Sequence, residues 1–342
     1  MARGLDVGDI ASWLGQNLEG TRAPYRAELI AAGGSNLTYR LEDADGKLFA
    51  LRRPPEGRRL ATAHDVLREV RILRALAQSA VPVPHIFAVC EEEDRIGAPF
   101  FVMEFAHGRI LRDRKAAGDL APEACQQATD SLIDVQIALH SLDVDEFGLG
   151  GLARREGYVE RQLARWLEQA HRSRTRELPL LEAVHDQLRA SLPPSSGRVS
   201  LVHGDYRFDN VVLDDSNRVR AVLDWELCTL GDPVADFCWS LLYWADPGDE
   251  YSFLTSAPTL HEAFPRRAEV AALWAARSGY DLSRLDYFTA FGWWKMACIV
   301  EGVYARLQKG TSGGMGGGED LARIAGRVDR LLDMAARALD LH

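Results

Sequence analysis

The chain has 342 residues, of which 47% are hydrophobic, so it is long enough for about two domains with a buried core. Fifty acidic residues against 40 Lys and Arg leave a formal net charge of -10 at pH 7. This balance argues against nucleic acid as a partner, because nucleic-acid-binding domains carry an excess of basic residues. The 5 cysteines lie far apart and form no C-x-x-C pair, which argues against a disulfide framework or a zinc cluster.

The amino-terminal segment MARGLDVGDIASWL contains early acidic residues and no long apolar run, which argues against a secretory signal peptide. No stretch reaches the roughly 18 apolar residues that a membrane-spanning helix requires. The most apolar segment, Tyr287–Val300, is interrupted by Lys295. We therefore expect a cytoplasmic protein without a membrane partner.

Between Arg26 and Phe105 the sequence alternates apolar and polar residues in short segments, as β-strands with one buried face do. The segments are ELIAA, NLTYRLE, KLFALRR, VPVPHIFAVCEE and APFFVME, with a turn at Asp45-Gly46. Residues 61–79 break this pattern, since their apolar residues recur at the spacing of an amphipathic helix. The sequence thus predicts a small antiparallel sheet with one crossing helix, which we assign to an amino-terminal lobe of residues 1–104.

Residues 105–342 are predicted to form a second lobe that is mainly helical. Helical periodicity is present over residues 122–141, 156–170 and 178–192, and Pro193-Pro194 ends the third helix. Three short apolar runs, VSLVHGD, NVVLDD and RVRAVLDW, then indicate a small β insert, after which the chain returns to helix. The predicted fold class is therefore α+β, with two lobes.

The β insert presents three polar residues, each beside an apolar strand. Asp205 follows the run LVHG, Asn210 comes five positions later, and Asp224 comes fourteen positions after Asn210. Phosphoryl transfer requires such a set: one carboxylate orients the attacking hydroxyl and accepts its proton, while an amide oxygen and a second carboxylate hold Mg²⁺ on the nucleotide phosphates. We predict that Asp205 is the catalytic base and that Asn210 and Asp224 are the metal ligands.

The segment HGDYRFDN…VLDWE resembles the catalytic core of the aminoglycoside phosphotransferase and choline kinase family, whose fold is similar to that of protein kinases. Its Asp-to-Asn spacing matches the kinase pattern H-R-D-x-x-x-x-N, with Gly204 in place of Arg. In this family an Asp at the start of the following helix braces the catalytic loop, and Asp236 matches that position. The resemblance covers most of the chain and implies a bilobal protein-kinase-like fold, with His203 in a structural role.

The resemblance also implies a set of nucleotide-binding residues. A glycine-rich turn would contact the phosphates through its backbone N–H groups and a hydroxyl, with Gly33, Gly34, Ser35 and Asn36 in that role. The nucleotide-anchoring Lys of the family is replaced by Arg52, which we expect to neutralise phosphate charge with Glu69 of the crossing helix as its partner. The strand-to-helix link FFVMEFAHG resembles the adenine-binding hinge of the family, with the base held by Met103, Glu104 and Ala106.

The expected activity is transfer of the γ-phosphoryl group of ATP or GTP, with Mg²⁺, to a hydroxyl group of a small molecule. The segments APFFVMEFAHGRIL, LRRPP and DWELCTLGDPVADFCWSLLYW look closer to the kinase-like modules joined to acyl-CoA dehydrogenases than to drug-resistance enzymes. A hydroxyacyl thioester is therefore a candidate acceptor.

Three alternative functions and the oligomeric state remain open at this point. The protein could be an aminoglycoside phosphotransferase, which requires an acidic acceptor pocket. It could be a nucleotide-binding module without transfer activity, since Arg52 replaces Lys. It could also be a metal-dependent hydrolase with His203, Asp205 and Asp224 as ligands, although no further histidine cluster at metal spacing supports that interpretation.

Overall fold

The computed structural model describes residues 5–32, 36–55, 66–194, 198–249, 257–310 and 321–341. Its amino-terminal part is built around a five-stranded sheet of order β1-β2-β3-β5-β4, in which all neighbouring strands are antiparallel. In chain order, its elements are α1 (Ala11–Asn17), β1 (Arg26–Ala32), β2 (Leu37–Glu42), β3 (Leu48–Arg53), α2 (Val66–Leu76), β4 (Ile86–Cys90) and β5 (Phe100–Glu104).

The sheet is covered on both faces because successive side chains of each strand point to opposite sides. Phe100 of β5 packs edge-on against Trp13 of α1, with ring centroids 4.8 Å apart, whereas Phe101 belongs to the buried cluster that includes α2. Helix α2 lies where the sequence predicts a crossing helix, but α1 was not predicted. Arg52 pairs in register with Phe101, so its side chain is directed to the α2 face.

The carboxyl-terminal part is mainly helical, with two small antiparallel two-stranded sheets, one that pairs β6 with β9 and one formed by the β7–β8 hairpin. The three helices predicted between residues 122 and 192 lie close to their predicted positions. In chain order, the elements are α3 (Arg114–Ala117), α4 (Pro122–His140), α5 (Tyr158–Ser173), α6 (Pro179–Ala190), β6 (Ser200–Val202), β7 (Val211–Leu213), β8 (Val219–Val222), β9 (Thr229–Gly231), α7 (Pro233–Leu242), α8 (Arg267–Ser278), α9 (Leu285–Gln308) and α10 (Leu321–Ala338).

The link after β5 is attached directly to the hairpin of the second part. Arg109 and Leu213 exchange two backbone hydrogen bonds, each 2.8 Å long. Gly108 makes this approach possible, because a Cβ atom there would lie only 2.2 Å from the carbonyl oxygen of Leu213. Strand β5 ends at Glu104, where the sequence placed the boundary between the lobes. The division into 1–104 and 105–342 itself stays a prediction.

Helix α9 packs against α5, α7 and α10 and forms the centre of the helical part. Helix α7 has a well-defined start: Asp232 caps it by accepting the N–H groups of Val234 and Ala235 at 2.9 and 3.1 Å, and Pro233 occupies the first turn. This start positions Asp236 one turn into the helix. Within the described ranges, no helix is long and apolar enough to cross a bilayer.

Candidate active site

His203 anchors the loop that follows β6. Its ring is fully buried, Nε2 lies 2.9 Å from the carbonyl oxygen of Leu223, and Nδ1 accepts the N–H of Asp205 at 3.2 Å. Because a carbonyl oxygen can only accept, Nε2 carries the proton and Nδ1 is the acceptor. His203 therefore ties the Asp205 loop to the residue that precedes Asp224.

A carboxylate of helix α7 holds the same loop by its backbone. Asp236 Oδ1 accepts the N–H of Gly204 at 2.9 Å, while Oδ2 accepts the N–H of His203 at 3.2 Å and lies 3.0 Å from His140 Nε2. Burial raises the pKa of Asp236, but the bonds from His140 and Gly204 outweigh it, so the pKa is lowered overall. An ionised carboxylate of helix α7 thus holds the backbone of the loop in place.

The backbone explains why glycine stands where the kinase pattern has Arg. Gly204 has φ of +84°, in the left-handed region that side chains rarely adopt. An added Cβ atom would lie 3.0 Å from both the Cβ atom and the carbonyl oxygen of Leu227. Gly204 therefore allows the Asp205 loop to approach the segment after Asp224 closely.

Asp205 and Asn210 contact each other directly. Asn210 Nδ2 donates to Asp205 Oδ2 at 2.9 Å and to the carbonyl oxygen of Asp205 at 2.8 Å. Since both bonds use the amide nitrogen, the amide oxygen of Asn210 is left without a hydrogen-bond donor in the described part of the chain. This oxygen is held in place and available to a cation.

Asp224 lies next to Asn210. The N–H of Leu223 donates to the carbonyl oxygen of Asn210 at 2.8 Å, and Asp224 itself adopts φ 64° and ψ 62°. This conformation is uncommon for a residue other than glycine, and such strained residues cluster at active sites and ligand clamps. The structure thus brings Asp205, Asn210 and Asp224 together.

Arg52 connects the sheet to this group of residues. Its Nε lies 2.8 Å from Glu69 Oε2, and its Nη2 lies 2.5 Å from Asp224 Oδ1 and 3.5 Å from Glu226 Oε2. Burial raises the pKa of Glu69, while the charge of Arg52 acts against this rise. A planar guanidinium can contact several carboxylates at once, which the point charge of a lysine cannot do in the same geometry.

Asn36 makes a second connection between the amino-terminal part and the segment after Asp224. Three other residues of the predicted phosphate-binding turn lie outside the described residues: Gly33, Gly34 and Ser35. Asn36 Nδ2 donates to Glu226 Oε2 at 3.2 Å. Arg68 of α2 donates to the carbonyl oxygens of Glu226 and Cys228. The segment after Asp224 is therefore attached to the amino-terminal part at more than one point.

The predicted adenine-binding hinge follows β5. Met103 is buried in the cluster that includes α2, and the N–H of Glu104 donates to the carbonyl oxygen of His85 at 2.8 Å. The carboxylate of Glu104 lies 3.2 Å from Arg220 Nη2. The N–H of Ala106 has no hydrogen-bond partner among the described residues, so it is available to a ligand.

Arg207 received no role from the sequence, yet it contacts the predicted base. Its Nε lies 3.3 Å from Asp205 Oδ1, its Nη1 lies 2.7 Å from Asp209 Oδ2, and its guanidinium stands 4.5 Å from the ring centroid of Tyr243. The signal was present in HGDYRFDN, where Arg207 stands two residues from an acid on each side. Tyr243 had no such signal, because it reaches the site from the end of α7.

The oxygen atoms at this site suit Mg²⁺. In the chain as described, no group of three or more His, Cys, Asp or Glu residues is arranged to hold a metal ion. Mg²⁺ does not need such a group, since it is held by one or two carboxylates together with substrate phosphates and water. Asn210 offers a free amide oxygen, and the Asp224 side chain is 37% exposed. These two residues could therefore hold Mg²⁺ on a nucleotide.

Residues 26–285 match the family model described as "Phosphotransferase enzyme family" (APH), and the chain therefore belongs to that family. Acyl-CoA dehydrogenase family member 11 of Rattus norvegicus is 32% identical over 316 residues, which are 90% of this chain and 40% of that protein. A solved structure from Ralstonia eutropha JMP134, provisionally assigned as an aminoglycoside phosphotransferase, has a TM-score of 0.80 at 28% identity and covers 98% of both chains.

Choline kinase from Cryptosporidium parvum Iowa II shares the fold, with a TM-score of 0.64 at 14% identity over 98% of this chain and 97% of that one. These findings confirm the predicted family, the α+β kinase-like fold and the prediction of a phosphotransferase. The chain spans about two fifths of the length of the rat relative.

Proposed function

We propose that this protein transfers the γ-phosphoryl group of ATP or GTP to the hydroxyl group of a hydroxyacyl thioester, with Mg²⁺. The proposal rests mainly on one observation: Asn210 holds the Asp205 carboxylate with its amide nitrogen, while its amide oxygen has no hydrogen-bond donor among the described residues and its backbone carbonyl accepts from Leu223, the residue before Asp224. That arrangement separates a proton acceptor from a pair of metal ligands within one short segment, as phosphoryl transfer requires.

Each residue has a defined task in the proposed reaction. Asp205 orients the acceptor hydroxyl and accepts its proton as the new O–P bond forms, while the bond from the γ-phosphorus to the bridging oxygen breaks and the nucleoside diphosphate leaves. Asn210 Oδ1 and the Asp224 carboxylate hold Mg²⁺, whose chemistry when bound is neutralisation of charge on the phosphate oxygens. Asp236 and His203 keep the Asp205 loop in place by backbone hydrogen bonds and thereby limit misplacement of the base.

The nucleotide is proposed to lie between the sheet and the Asp224 segment. Arg52 and the turn that contains Asn36 offset the charge of the phosphates, with Glu69 holding the Arg52 guanidinium from the opposite side. The free N–H of Ala106 and the carbonyl oxygen of Glu104 bind the edge of the base, and Met103 packs behind it. The Ala106 donor supports this placement because no described residue uses it.

The acceptor class is proposed from the relatives. The curated relative named above is an acyl-CoA dehydrogenase family member, and this chain matches only a part of it. A kinase module joined to an enzyme of acyl thioesters is expected to act on a related thioester that carries a hydroxyl group. An aminoglycoside is the second candidate, because the structural relative at 28% identity is assigned to that activity.

An assay of nucleotide consumption tests the proposed function. Purified protein is incubated with Mg²⁺-ATP or Mg²⁺-GTP and a panel of hydroxyacyl thioesters, aminoglycosides, choline and sugars. Asp205→Ala should abolish acceptor-stimulated turnover while leaving nucleotide affinity, measured by calorimetry, unchanged. Asp215→Ala is the matched control, because this acid is exposed in the turn of the nearby β7–β8 hairpin and should not affect turnover.

Other results would contradict the proposal in distinct ways. Turnover that persists in Asp205→Ala would show that the base is wrongly assigned. Turnover of aminoglycosides without turnover of hydroxyacyl thioesters would make antibiotics the acceptors. Nucleotide binding without turnover of any acceptor would favour the alternative of a nucleotide-binding module without transfer activity, which was considered because Arg52 replaces Lys.

A further inference from the structure

Lys295 lies in the middle of helix α9 and is buried, with only 8% of the residue exposed. Its ammonium group stands 3.8 Å from the ring centroid of Trp239 in α7 and 5.8 Å from that of Trp166 in α5. Three helices thus enclose one cation, and two aromatic rings form its walls. A buried lysine normally pairs with a carboxylate or another acceptor, because taking its charge out of water is costly.

This ammonium group has no such partner in the part of the chain that the structure describes. In the described residues, no hydrogen bond or ion pair to Lys295 Nζ is present, and the contacts to the two tryptophan rings only partly replace hydration. The indole N–H of Trp239 is also buried without a hydrogen-bond acceptor in the same part of the structure. Two donors that belong to neighbouring side chains therefore lack an acceptor, which an oxygen-bearing ligand would supply.

A chain of side-chain contacts leads from Lys295 to the predicted base. The Trp239 ring packs edge-on against Tyr243, with centroids 5.9 Å apart. The Arg207 guanidinium stands 4.5 Å from the Tyr243 ring centroid, and Arg207 Nε lies 3.3 Å from Asp205 Oδ1. Burial lowers the pKa of Lys295 to about 8, while the charges of Asp236 and Asp205 act to raise it and that of Arg165 to lower it. Lys295 is therefore within electrostatic range of the group proposed to receive the acceptor hydroxyl.

We propose that Lys295 and the indole N–H of Trp239 form an acceptor-binding subsite that takes an anionic oxygen group, either a carboxylate or a phosphate, of the molecule to be phosphorylated. This inference rests on the proposed function and adds the charge of its substrate. The two tryptophans could otherwise bind a cationic ligand, but Lys295 already occupies the space between them. Acceptors that carry ammonium groups, such as amino sugars and choline, are excluded by repulsion from Lys295.

Matched acceptors that differ in charge test the subsite. We would use hydroxypentanoyl compounds with the hydroxyl group at each carbon in turn. One pair consists of the free acid and its neutral amide. The other pair consists of the coenzyme A thioester and the pantetheine thioester, which lacks phosphate. The native protein should prefer the charged member of a pair by roughly 10- to 100-fold in kcat/KM, the range expected of one charge-assisted hydrogen bond. A preference within the free-acid pair shows that the subsite binds a carboxylate, and a preference within the thioester pair shows that it binds a phosphate.

The variant Lys295→Met keeps an unbranched side chain of nearly the same length and removes its charge. It should lose the preference through a higher KM for the charged acceptor, with nucleotide affinity unchanged. Lys115→Met is the matched control, because Lys115 is exposed in α3, and it should behave like the native protein. A native protein that prefers the neutral member, or a Lys295→Met variant that retains the preference, would overturn the proposal.

A measurement on the native protein separates this inference from the proposed function. The chain has four lysines, Lys47, Lys115, Lys295 and Lys309, so reductive ¹³C-methylation should yield few NMR signals, with Lys295 assigned from its variant. Adding hydroxypentanoate or coenzyme A to the Mg²⁺-ADP-loaded protein should shift the Lys295 signal, whereas the amide should not. A signal that responds to neither anion refutes the subsite whether or not turnover occurs. Absence of turnover with a responding signal refutes only the transfer activity.

Discussion

Arg52 of strand β3 and Asp224 of the segment after β8 form an ion pair across the cleft, with Nη2 2.5 Å from Oδ1. The same guanidinium lies 2.8 Å from Glu69, which is 3% exposed. A proposed ligand of Mg²⁺ is thus also the partner of a cation from the sheet. The pair links the sheet to the Asp224 segment, so Arg52 contributes to the fold as well as to the proposed phosphate site.

Arg52→Ala should lower the free energy of unfolding by roughly 3–5 kcal/mol, because it leaves Glu69 buried and unpaired. Urea unfolding measures the loss. The double variant Arg52→Ala/Glu69→Gln should recover at least about 1 kcal/mol, since the stranded charge is removed as well. Burial raises the pKa of Glu69, so the deficit of the single variant should be smaller at pH 5 than at pH 8, where the carboxylate is ionised. A deficit independent of pH would contradict this account.

Asp236→Asn should reduce kcat by roughly 10²-fold with little change in KM for the nucleotide. An amide offers one acceptor oxygen in place of two, so it cannot accept the N–H groups of His203 and Gly204 and also the bond from His140. The Asp205 loop then loses its position, which is the kind of displacement that costs such a factor. Asp232→Asn is the control, because Asn caps helices as well as Asp does. Equal kinetics of both variants would show that Asp236 does not position the base.

Gly204→Ala should destabilise the protein more than Gly46→Ala, although both glycines have nearly the same positive φ, +84° and +82°. The shared cost of the left-handed conformation is about 1 kcal/mol. A Cβ atom on Gly46 would meet open space, whereas a Cβ atom on Gly204 would press against Leu227 at 3.0 Å. We expect full activity for Gly46→Ala and a clear loss for Gly204→Ala. Equal urea midpoints for the two variants would show that the contact with Leu227 does not matter.

Lys295→Met should raise the free energy of unfolding at pH 7 by roughly 3 kcal/mol, because it removes a buried charge that has no hydrogen-bond acceptor among the described residues. Burial lowers the pKa of Lys295 from 10.5 to about 8. Between these two values the unfolded chain holds a proton that the folded chain has released, so the native protein gains stability as the pH rises. The advantage of the variant should therefore be largest below pH 8 and shrink towards pH 10. Urea unfolding across this pH range measures the difference in free energy of unfolding between Lys295→Met and the native protein, with Lys115→Met as reference. A difference that does not change with pH would refute the argument.

The sequence by itself determined the parts of this protein that depend on neighbours along the chain. Alternating apolar residues identified the strands of the sheet, helical periodicity identified α2 and α4 to α6, and the spacing within HGDYRFDN placed Asp205 and Asn210 on one short loop. Helix α1 escaped notice because its seven residues carry little periodicity of their own. The position of its apolar residues is explained only by the sheet face that they cover.

Only the tertiary structure decided which distant side chains meet. Arg52 and Asp224 are 172 residues apart, and Asn36 and Glu226 are 190 apart, so no local pattern could pair them. Lys295 appeared in the sequence only as an interruption of an apolar helix. The packing of α5, α7 and α9 encloses its charge between two tryptophans and leaves it, among the described residues, without an acceptor. Periodicity reports which face of an element is buried, whereas the partner across the core depends on how whole helices and sheets pack.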